Sequence, residues 1–387
     1  MIPQSGRSAG RVLGAALIVA VGACLVAGIE FLSISPHQVT ERDFIEYWAI
    51  GQQLAHGGNP YDAHAILVLE QSAELDGAQL RVSLSPPAVL WPMLPLGWMN
   101  ARTGFVFWSL LLLGSLSIAN WLMWRLNGRP DNLLHLLGYV YAPAVVCLIA
   151  GQISIFLLLG VVLFLAWHKT RPALAGATLL PCLLKPHLFL VVGAVLVIWI
   201  VQRKAWRVAA GFAAATIASC AVSLVFDSHI WQQYFAMMHQ ARVVDWAIPS
   251  LGVLLRRLIA PEAAWLQFVP AVAGGIWAVV YYWLRRDRWE WAADGLALLF
   301  VTVVCAPYAF FNDECLLLPL VLTGLYQATR SGRSWVPIAL INAAVLVEVF
   351  GQVNINSPWY LWTPFAWFGW YVYATHDRAI EHEQTGQ

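Results

Sequence analysis

The sequence predicts an all-α integral membrane protein, a polytopic helical bundle of about twelve transmembrane helices. Of its 387 residues, 60% are hydrophobic and 11% are charged, whereas a soluble domain has about 25% charged residues. Twenty-one Trp and twelve Tyr residues suit the headgroup region, where amphipathic rings concentrate. We see no internal repeat and no second soluble domain, so residues 1–387 are predicted to form one membrane domain.

Apolar windows along the chain define the predicted crossings. A helix must be long enough to cross about 30 Å of hydrocarbon. Six windows meet this requirement readily, near residues 11–29, 104–124, 134–149, 153–168, 206–226 and 266–284. Shorter or proline-interrupted windows lie near residues 172–184, 187–202, 291–305, 314–329, 335–350 and 359–375.

The basic residues predict the orientation. Lys and Arg near helix ends stay preferentially on the cytoplasmic side. If the N-terminus is cytoplasmic, every loop that alternation places inside is basic, with Arg7, Arg11, Arg125, Arg129, Lys169, Arg171, Arg203, Lys204, Arg207, Arg285, Arg286, Arg288, Arg330 and Arg333. The predicted outer loops carry few basic residues. Both termini are therefore predicted to be cytoplasmic, in a multi-pass protein of the inner (plasma) membrane.

The first apolar segment allows a second interpretation. It could be a signal peptide, and Val21 to Cys24 faintly resembles a lipoprotein cleavage site. However, the apolar run continues to Ile29, which is longer than the usual core of a signal peptide. An uncleaved first helix is the simpler prediction.

Residues 30–103 are predicted to form the first outer loop, with helices along the membrane interface. Apolar residues recur at helical spacing from Phe44 through Leu54, as in a helix lying on a membrane surface. Residues 57–60, Gly-Gly-Asn-Pro, end this helix, and a second short helix is predicted after Tyr61. Prolines at 86, 87, 92 and 95 then impose an irregular stretch.

Composition excludes two functional classes. The formal net charge is +1, and no tract is basic enough to neutralise a run of phosphates, so no nucleic-acid partner is expected. The six cysteines lie singly in or beside apolar segments. None has the spacing of a metal or redox centre.

Polar residues collect on the predicted outer side of the membrane. Lys185 interrupts two apolar segments, where an ammonium is costly, and it is interpreted either as an anion site beside His187 or as a snorkelling residue in a tight turn. Asp43 precedes a helix, so it is either a functional carboxylate or an N-cap. The outer set comprises Asp43, Glu46, Asn59, Tyr61, Gln152, Lys185, His187, Asp227, His229, Arg256, Asn312, Asp313, Glu314, Gln352 and Asn354.

Several short motifs together resemble glycosyltransferase family 87, a GT-C type family of transferases that use polyprenyl-phosphate sugars. They run in family order across residues 40 to 315. Each is weak alone, and their order makes the resemblance specific. The motifs are Asp43 to Gly51, Gly58-Asn59-Pro60-Tyr61, Ser85-Pro86-Pro87, Gly151-Gln152, Leu184-Lys185-Pro186-His187 and Ala306-Pro307-Tyr308 leading to Asn312-Asp313.

The resemblance implies a GT-C-like bundle and an inverting transfer from a polyprenyl-phosphate sugar to a lipid or glycan hydroxyl, with mannose as the first guess for the sugar. Asp43 would be the general base. Lys185, helped by His187 or Arg256, would stabilise the departing phosphate. The remaining expected substrate-binding residues are Gln152, Asn59, Tyr61, Asn312 and Asp313. No cofactor or metal is expected.

One departure from the family pattern concerns the late outer loop. Some family members have a His in the region that corresponds to residues 310–313, where this chain offers Asn312, Asp313 and Glu314. The sugar or the acceptor could therefore differ.

Two other functions compete with transfer. A transporter or flippase of lipid-linked sugars would also combine many helices with a polar cavity, but transporters usually show inverted repeats and matched broken helices, and we find neither. A structural or assembly protein would leave the one-sided polar cluster unexplained.

Overall fold

The computed structural model describes residues 43–73, 84–240, 248–351 and 354–384. Within these ranges the chain forms α-helices and short 3-10 helices, without strands. The all-helical class predicted from the sequence is confirmed for this part of the chain. The predicted first crossing at residues 11–29, with its signal-peptide alternative, and Gln352 lie outside the described residues.

Fifteen α-helices follow one another along the described chain. They are α1 Phe44–Ala55, α2 Ala63–Ser72, α3 Ala101–Leu126, α4 Ala142–Ala150, α5 Ser154–Trp167, α6 Pro172–Ala177, α7 Leu190–Arg203, α8 Trp206–Phe226, α9 Ile230–Gln240, α10 Leu251–Ile259, α11 Val269–Arg285, α12 Asp294–Cys305, α13 Leu318–Arg330, α14 Val336–Phe350 and α15 Thr363–Gln384. The 3-10 helices are Pro87–Val89, Trp91–Trp98, Leu134–Tyr139, Leu180–Leu184, Pro186–Phe189, Ala264–Phe268, Arg286–Arg288, Phe311–Leu317 and Pro358–Trp362.

Four helical segments are long and apolar enough to cross a membrane, namely Ala101–Leu126, Pro186–Arg203, Trp206–Phe226 and Ala264–Arg288. All four coincide with predicted windows. Shorter apolar helices occupy other predicted windows, including Ser154–Trp167 and Val336–Phe350. The count of twelve crossings and the single domain over residues 1–387 remain predictions.

Two predicted windows are each divided into two helical segments near a proline. The window at residues 134–149 was predicted to be continuous, whereas the window at residues 172–184 was among those predicted to be shorter or proline-interrupted. The window at residues 134–149 is divided into Leu134–Tyr139 and α4, and Pro143 lies in the first turn of α4. The window at residues 172–184 is divided into α6 and Leu180–Leu184, with Pro181 in the first turn of the second piece. Proline has no backbone N–H, so it suits a first turn and interrupts a continuous helix.

The segment predicted to be helical after Asp43 forms α1, and most of its residues are buried within the protein. Phe44, Ile45 and Ala49 are fully buried, and Tyr47 and Trp48 are also buried. The helix packs against the segment Trp91–Trp98. The buried residues extend beyond the single apolar face that periodicity identifies, because Trp91–Trp98 covers the helix. The location of α1 along the membrane interface stays a prediction.

Two glycines allow this close packing. A Cβ atom on Gly51 would lie 2.4 Å from the carbonyl oxygen of Met93, and one on Gly97 would lie 2.2 Å from the carbonyl oxygen of Gly51. The indole Nε1 of Trp48 donates a hydrogen bond to the carbonyl oxygen of Met99 at 2.9 Å. These contacts fix α1, and with it the position of Asp43 at its start.

Candidate active site

Asp43 occupies the N-cap position of α1, yet its side chain accepts no capping hydrogen bond. Instead, Nε2 of Gln152 donates a hydrogen bond to Oδ2 of Asp43 at 3.0 Å. The amide oxygen of Gln152 accepts hydrogen bonds from the hydroxyl of Tyr47 and, at 2.9 Å, from the backbone N–H of Ile153. Asp43 is therefore oriented by a buried glutamine rather than by the helix that it precedes.

Gly151 positions Gln152. It ends α4 in the left-handed conformation, with φ of 68°, which glycine adopts without steric cost. A Cβ atom there would lie 2.7 Å from Cβ of Phe44. The carbonyl oxygen of Gly151 also accepts a hydrogen bond from Nε1 of Trp108 at 2.7 Å. Both the turn and the close approach to α1 therefore require glycine at the first position of the Gly151-Gln152 motif.

Lys185 forms a buried ion pair with Asp313. Its Nζ lies 2.6 Å from Oδ1 of Asp313 and donates a second hydrogen bond to Oγ of Ser154 at 3.1 Å. The Ser154 hydroxyl donates in turn to Oδ1 of Asp313 at 2.5 Å. Oδ2 of Asp313 accepts the backbone N–H of Phe310 at 2.9 Å. Two residues that the sequence analysis assigned separately to substrate binding are thus partners of each other.

The pKa values of this pair move in the directions that keep both groups charged. Burial alone would raise the pKa of Asp313, but the Lys185 ammonium and the hydrogen bonds from Ser154 and Phe310 lower it below its ordinary value. Burial alone would lower the pKa of Lys185, but the Asp313 carboxylate raises it above the usual range. The pair is therefore ionised at neutral pH.

The two groups of residues adjoin each other through the start of α5. Gln152 holds Asp43, and Ser154, two residues further on, contacts both Lys185 and Asp313. The Asp43 carboxylate also contributes to the raised pKa of Lys185. The carboxylates of Asp43 and Asp313, the Lys185 ammonium and their polar partners therefore share a single region at one end of the bundle.

His187 and Asn312 lie beside this region. The imidazole of His187 stacks on Tyr308, with ring centroids 3.7 Å apart. His187 Nε2 and Asn312 Oδ1 are buried and have no hydrogen-bond partner among the described residues. Because buried polar atoms are ordinarily paired, these two atoms are candidates for contact with a ligand. Their role in substrate binding remains a prediction.

Asn59 and Tyr61 make structural contacts. Asn59 Oδ1 accepts the backbone N–H of Tyr61 at 2.9 Å, and the Tyr61 hydroxyl donates to the carbonyl oxygen of Ser85 at 2.8 Å. The hydroxyl of Ser85 then donates to the carbonyl oxygen of Leu184 at 3.0 Å. The motif at residues 58–61 is thereby linked to the residue before Lys185, while direct substrate binding by Asn59 or Tyr61 stays a prediction.

Arg256 lies on α10 and is buried, with 5% exposure. A Cβ atom on Gly252, one turn earlier, would lie 2.8 Å from the carbonyl oxygen of Pro307. Ser250 donates to the carbonyl oxygen of Ala306 at 3.2 Å. Helix α10 thus packs beside the loop that carries Tyr308. A phosphate contact by Arg256 remains a prediction.

Three residues at the site were not singled out by the sequence analysis as functional residues: Ser154, Tyr47 and Tyr308. Ser154 is the one polar residue in an apolar helix start, two positions after Gln152, and this is a signal that could have found it. Tyr47 and Tyr308 lie within motifs already noted, but an aromatic residue in an apolar segment is ordinarily a packing residue.

Within residues 43–73, 84–240, 248–351 and 354–384, no group of three or more His, Cys, Asp or Glu side chains could hold a metal ion. A metal-independent reaction stays a prediction.

The fold and the site together define a helical membrane protein with a carboxylate and an ammonium at the same end of its bundle. Comparison with protein families gives a match to the model for glycosyltransferase family 87 over residues 84–307, which is more than half of the chain. The chain belongs to this family. It is therefore a membrane glycosyltransferase, with a sugar donor and an acceptor as substrates, as the sequence resemblance predicted.

The matched range contains Gln152, Lys185 and Arg256, and Asp43 and Asp313 lie outside it. Comparisons with curated proteins and with solved structures gave no significant match.

Proposed function

We propose that this glycosyltransferase transfers a sugar, with mannose as the first choice, from a polyprenyl-phosphate donor to a hydroxyl of a lipid or glycan, with inversion. The reaction takes place at the outer face of the inner membrane. One observation supports this most strongly. Asp43, which does not cap its helix, and Lys185 are brought to one region by Gln152 and Ser154, two residues apart.

Asp43 acts as the general base. Its carboxylate takes the proton of the acceptor hydroxyl while that oxygen bonds to the anomeric carbon. The bond between this carbon and the donor phosphate oxygen breaks, and its electron pair leaves with the polyprenyl phosphate. Attack opposite to the leaving group inverts the configuration. Gln152 keeps the carboxylate pointed at the acceptor by donating to one of its oxygens.

Lys185 stabilises the departing phosphate. An ammonium has three N–H donors, and two of them are directed to Asp313 and Ser154. The third remains for a phosphate oxygen, and the Lys185 side chain keeps 11% exposure. Cations fixed in advance where charge develops are the usual means of stabilising a leaving phosphate. His187 and Arg256 assist, and Asn59, Tyr61, Asn312 and Asp313 border the substrates.

The distribution of charge supports the proposed side of the membrane. The other ends of the helices near the site carry basic residues, including Lys169 after α5 and Arg203 at the end of α7. The positive-inside rule places those ends in the cytoplasm. The site then faces the exterior, where a polyprenyl-phosphate sugar keeps its tail in the bilayer and its headgroup at the rim. The family match favours transfer over transport.

The test is transfer by the purified protein. A panel of polyprenyl-phosphate sugars is offered with extracted membrane lipids as acceptors, and free polyprenyl phosphate is measured together with the anomeric configuration of the product. We expect release with one sugar and a product of inverted configuration. A product with the donor's configuration would overturn the single-displacement mechanism, and release with no member of the panel would overturn the choice of donor.

A further inference from the structure

A polar cavity lies at the end of the bundle opposite to Asp43 and Lys185. Helix α5 begins at Ser154 in the site and ends at Trp167, and α7 likewise runs away from Lys185 toward Arg203. At about 1.5 Å per residue, the 14 residues of α5 separate the two ends by roughly 20 Å. The cavity has a volume of about 880 Å³.

Five basic and two acidic side chains line the cavity, so its lining carries an excess of positive charge. Its cations are Lys169, Arg203, Lys204, Arg207 and Arg288 and its acids are Asp287 and Glu290. Lys169 pairs with Glu290 at 2.5 Å, and Arg203 donates to the carbonyl oxygen of Asp287 at 3.2 Å. Within the part of the chain that the structure describes, the side chains of Lys204, Arg207 and Arg288 have no ion-pair or hydrogen-bond partner. These three side chains therefore remain available to an anion.

Lys204 adopts an unusual backbone conformation at this cavity. It follows α7 with φ of 53°, in the left-handed region. This position after a helix is ordinarily taken by glycine or asparagine, and other residues adopt it at a cost in free energy. Arg129 shares this conformation, with φ of 55°. At Lys204 the conformation places an ammonium at the rim of the cavity.

Trp residues form the inner wall. Trp289 and Trp291 are 6% and 3% exposed, and they contact each other edge to face with centroids 5.5 Å apart. Neither indole N–H has a hydrogen-bond partner among the described residues. Trp206, which also lines the cavity, is 56% exposed. Tryptophan rings and cations together are the side chains that proteins place at the level of lipid headgroups.

Apolar surface adjoins the cavity. Val197 and Val201 on α7 precede Lys204 and are 61% and 54% exposed. Trp283 and Leu284 on α11 precede Arg288 and are 53% and 78% exposed. Acyl chains would cover these faces while a headgroup occupies the cavity. Both helices belong to candidate membrane spans, so the cavity adjoins a surface that lipid covers and the headgroup of an adjoining lipid can reach it.

We propose that this cavity binds the phosphate headgroup of an anionic membrane lipid, held by Lys204, Arg207 and Arg288. The inference does not depend on the proposed transfer reaction, because the cavity and the candidate active site share no residue. Other basic side chains at the same end are already engaged: Arg330 donates to the carbonyl oxygen of Asn127, and the Arg125 guanidinium lies 4.7 Å from the ring centroid of Trp121. Basic residues that serve only to orient the helices in the membrane would not need to line a cavity.

The test compares two triple variants of the full chain. The cavity variant carries Lys204→Gln, Arg207→Gln and Arg288→Gln. The matched control carries Arg125→Gln, Arg129→Gln and Arg330→Gln, which remove the same charge from the same end of the bundle. Each protein is placed in nanodiscs of phosphatidylcholine alone or of equal parts phosphatidylcholine and phosphatidylglycerol, and bound phosphatidylglycerol is measured by native mass spectrometry.

Each cation near an anionic surface strengthens binding about fivefold. We therefore expect the cavity variant to retain phosphatidylglycerol at least tenfold more weakly than the wild type, and the control to lose much less. Equal retention by the cavity variant and the wild type would overturn the site. Inorganic pyrophosphate is tested in phosphatidylcholine nanodiscs. If it raised the unfolding temperature of the wild type but not of the cavity variant, the ligand would be a soluble anion, and the lipid assignment would be wrong.

Discussion

At the residue scale, Gln152 decides how Asp43 is interpreted. A carboxylate at the start of a helix ordinarily accepts backbone N–H groups of the first turn, and Asp43 accepts none of them. The Gln152 amide donates to it instead, while the Gln152 oxygen is fixed by Tyr47 and Ile153. The Asp43 carboxylate is therefore oriented by the glutamine rather than by the helix.

The Lys185–Asp313 pair allows a double-mutant cycle. Lys185→Met leaves a buried carboxylate without its cation, and Asp313→Leu leaves a buried ammonium. Either change should lower the free energy of unfolding by about 3 to 5 kcal/mol. The double variant should recover much of this loss and remain inactive, because the phosphate then has no ammonium. The free energy of unfolding is measured by titration with a denaturing detergent.

The exposed pair of Lys169 and Glu290 is the control for this cycle, since their side chains are 62% and 50% exposed. Such a pair contributes about 1 kcal/mol or less. An interaction energy between Lys185 and Asp313 as small as that of the exposed pair would contradict the buried ion pair. Full transfer activity of the double variant would show that Lys185 does not act on the donor phosphate.

The sequence could predict the members of the site but not their partners. Asp43, Gln152, Lys185 and Asp313 stand out because each is polar in or beside an apolar segment. The hydrogen bond from Gln152 to Asp43 joins positions 109 residues apart, and the bond from Lys185 to Asp313 joins positions 128 apart. Helical periodicity relates residues three or four positions apart. Contacts at such distances in the chain depend on the packing of whole helices.

At the element scale, the motif from Asp43 to Gly51 combines residues that pack α1 with a residue that packing does not explain. In the pattern from Asp43 to Gly51, Trp48 donates a hydrogen bond to the carbonyl oxygen of Met99. Gly51 has no side chain, so the backbone at Met93 can approach the helix closely. Packing therefore accounts for two members of the motif. Asp43 makes no capping bond and needs another explanation. Periodicity predicted the helix itself, but it could not predict that Trp91–Trp98 covers it.

Gly51→Ala tests this close packing. The added Cβ would lie 2.4 Å from a backbone oxygen, so the segments must separate. We expect a loss of about 1 to 3 kcal/mol in the free energy of unfolding, together with reduced activity because α1 carries Asp43. Gly114→Ala in α3 is the control, since a Cβ there meets nothing within 4 Å. It should be neutral or stabilising, and equal losses for both variants would contradict the account.

Helix positions were predicted more reliably than helix continuity. The windows at residues 104–124, 206–226 and 266–284 coincide with candidate spans, because long apolar runs have few alternative structures in lipid. The window at residues 134–149 was predicted to be continuous, but the structure begins α4 near Pro143. Hydropathy does not detect such a break, because it does not respond to the missing backbone N–H of proline. The window at residues 172–184, predicted as shorter or proline-interrupted, is divided near Pro181.

At the scale of the whole molecule, the two ends of the bundle differ in chemistry. One end holds Asp43, Lys185 and their partners, and the other holds the basic cavity with Lys204 and Arg207. The same helices connect both ends. Under the positive-inside rule, the basic end would face the cytoplasm and the end with Asp43 and Lys185 would face the exterior, as proposed above.

Reporter fusions test the predicted orientation. Fusions after Arg129, Lys169 and Lys204 should report the cytoplasm, since these positions lie in basic loops. A fusion near Asp76, which lies outside the described residues, should report the exterior. The measurement is paired alkaline phosphatase and fluorescent protein activity at each position. A cytoplasmic signal at Asp76 would place Asp43 on the wrong side for the proposed reaction.

The most direct test of the proposed mechanism is the transfer rate of Asp43→Asn, measured with saturating polyprenyl-phosphate sugar and compared with the wild type. Asparagine is nearly isosteric with aspartate and caps a helix about as well, but it cannot take a proton at neutral pH. General-base assistance contributes about 10² to 10⁴ in rate, so we predict a fall of at least about 100-fold, with donor binding and unfolding temperature unchanged. A rate within about fivefold of the wild type would contradict the assignment of Asp43 as the base and would direct the search to Glu46 or Asp313.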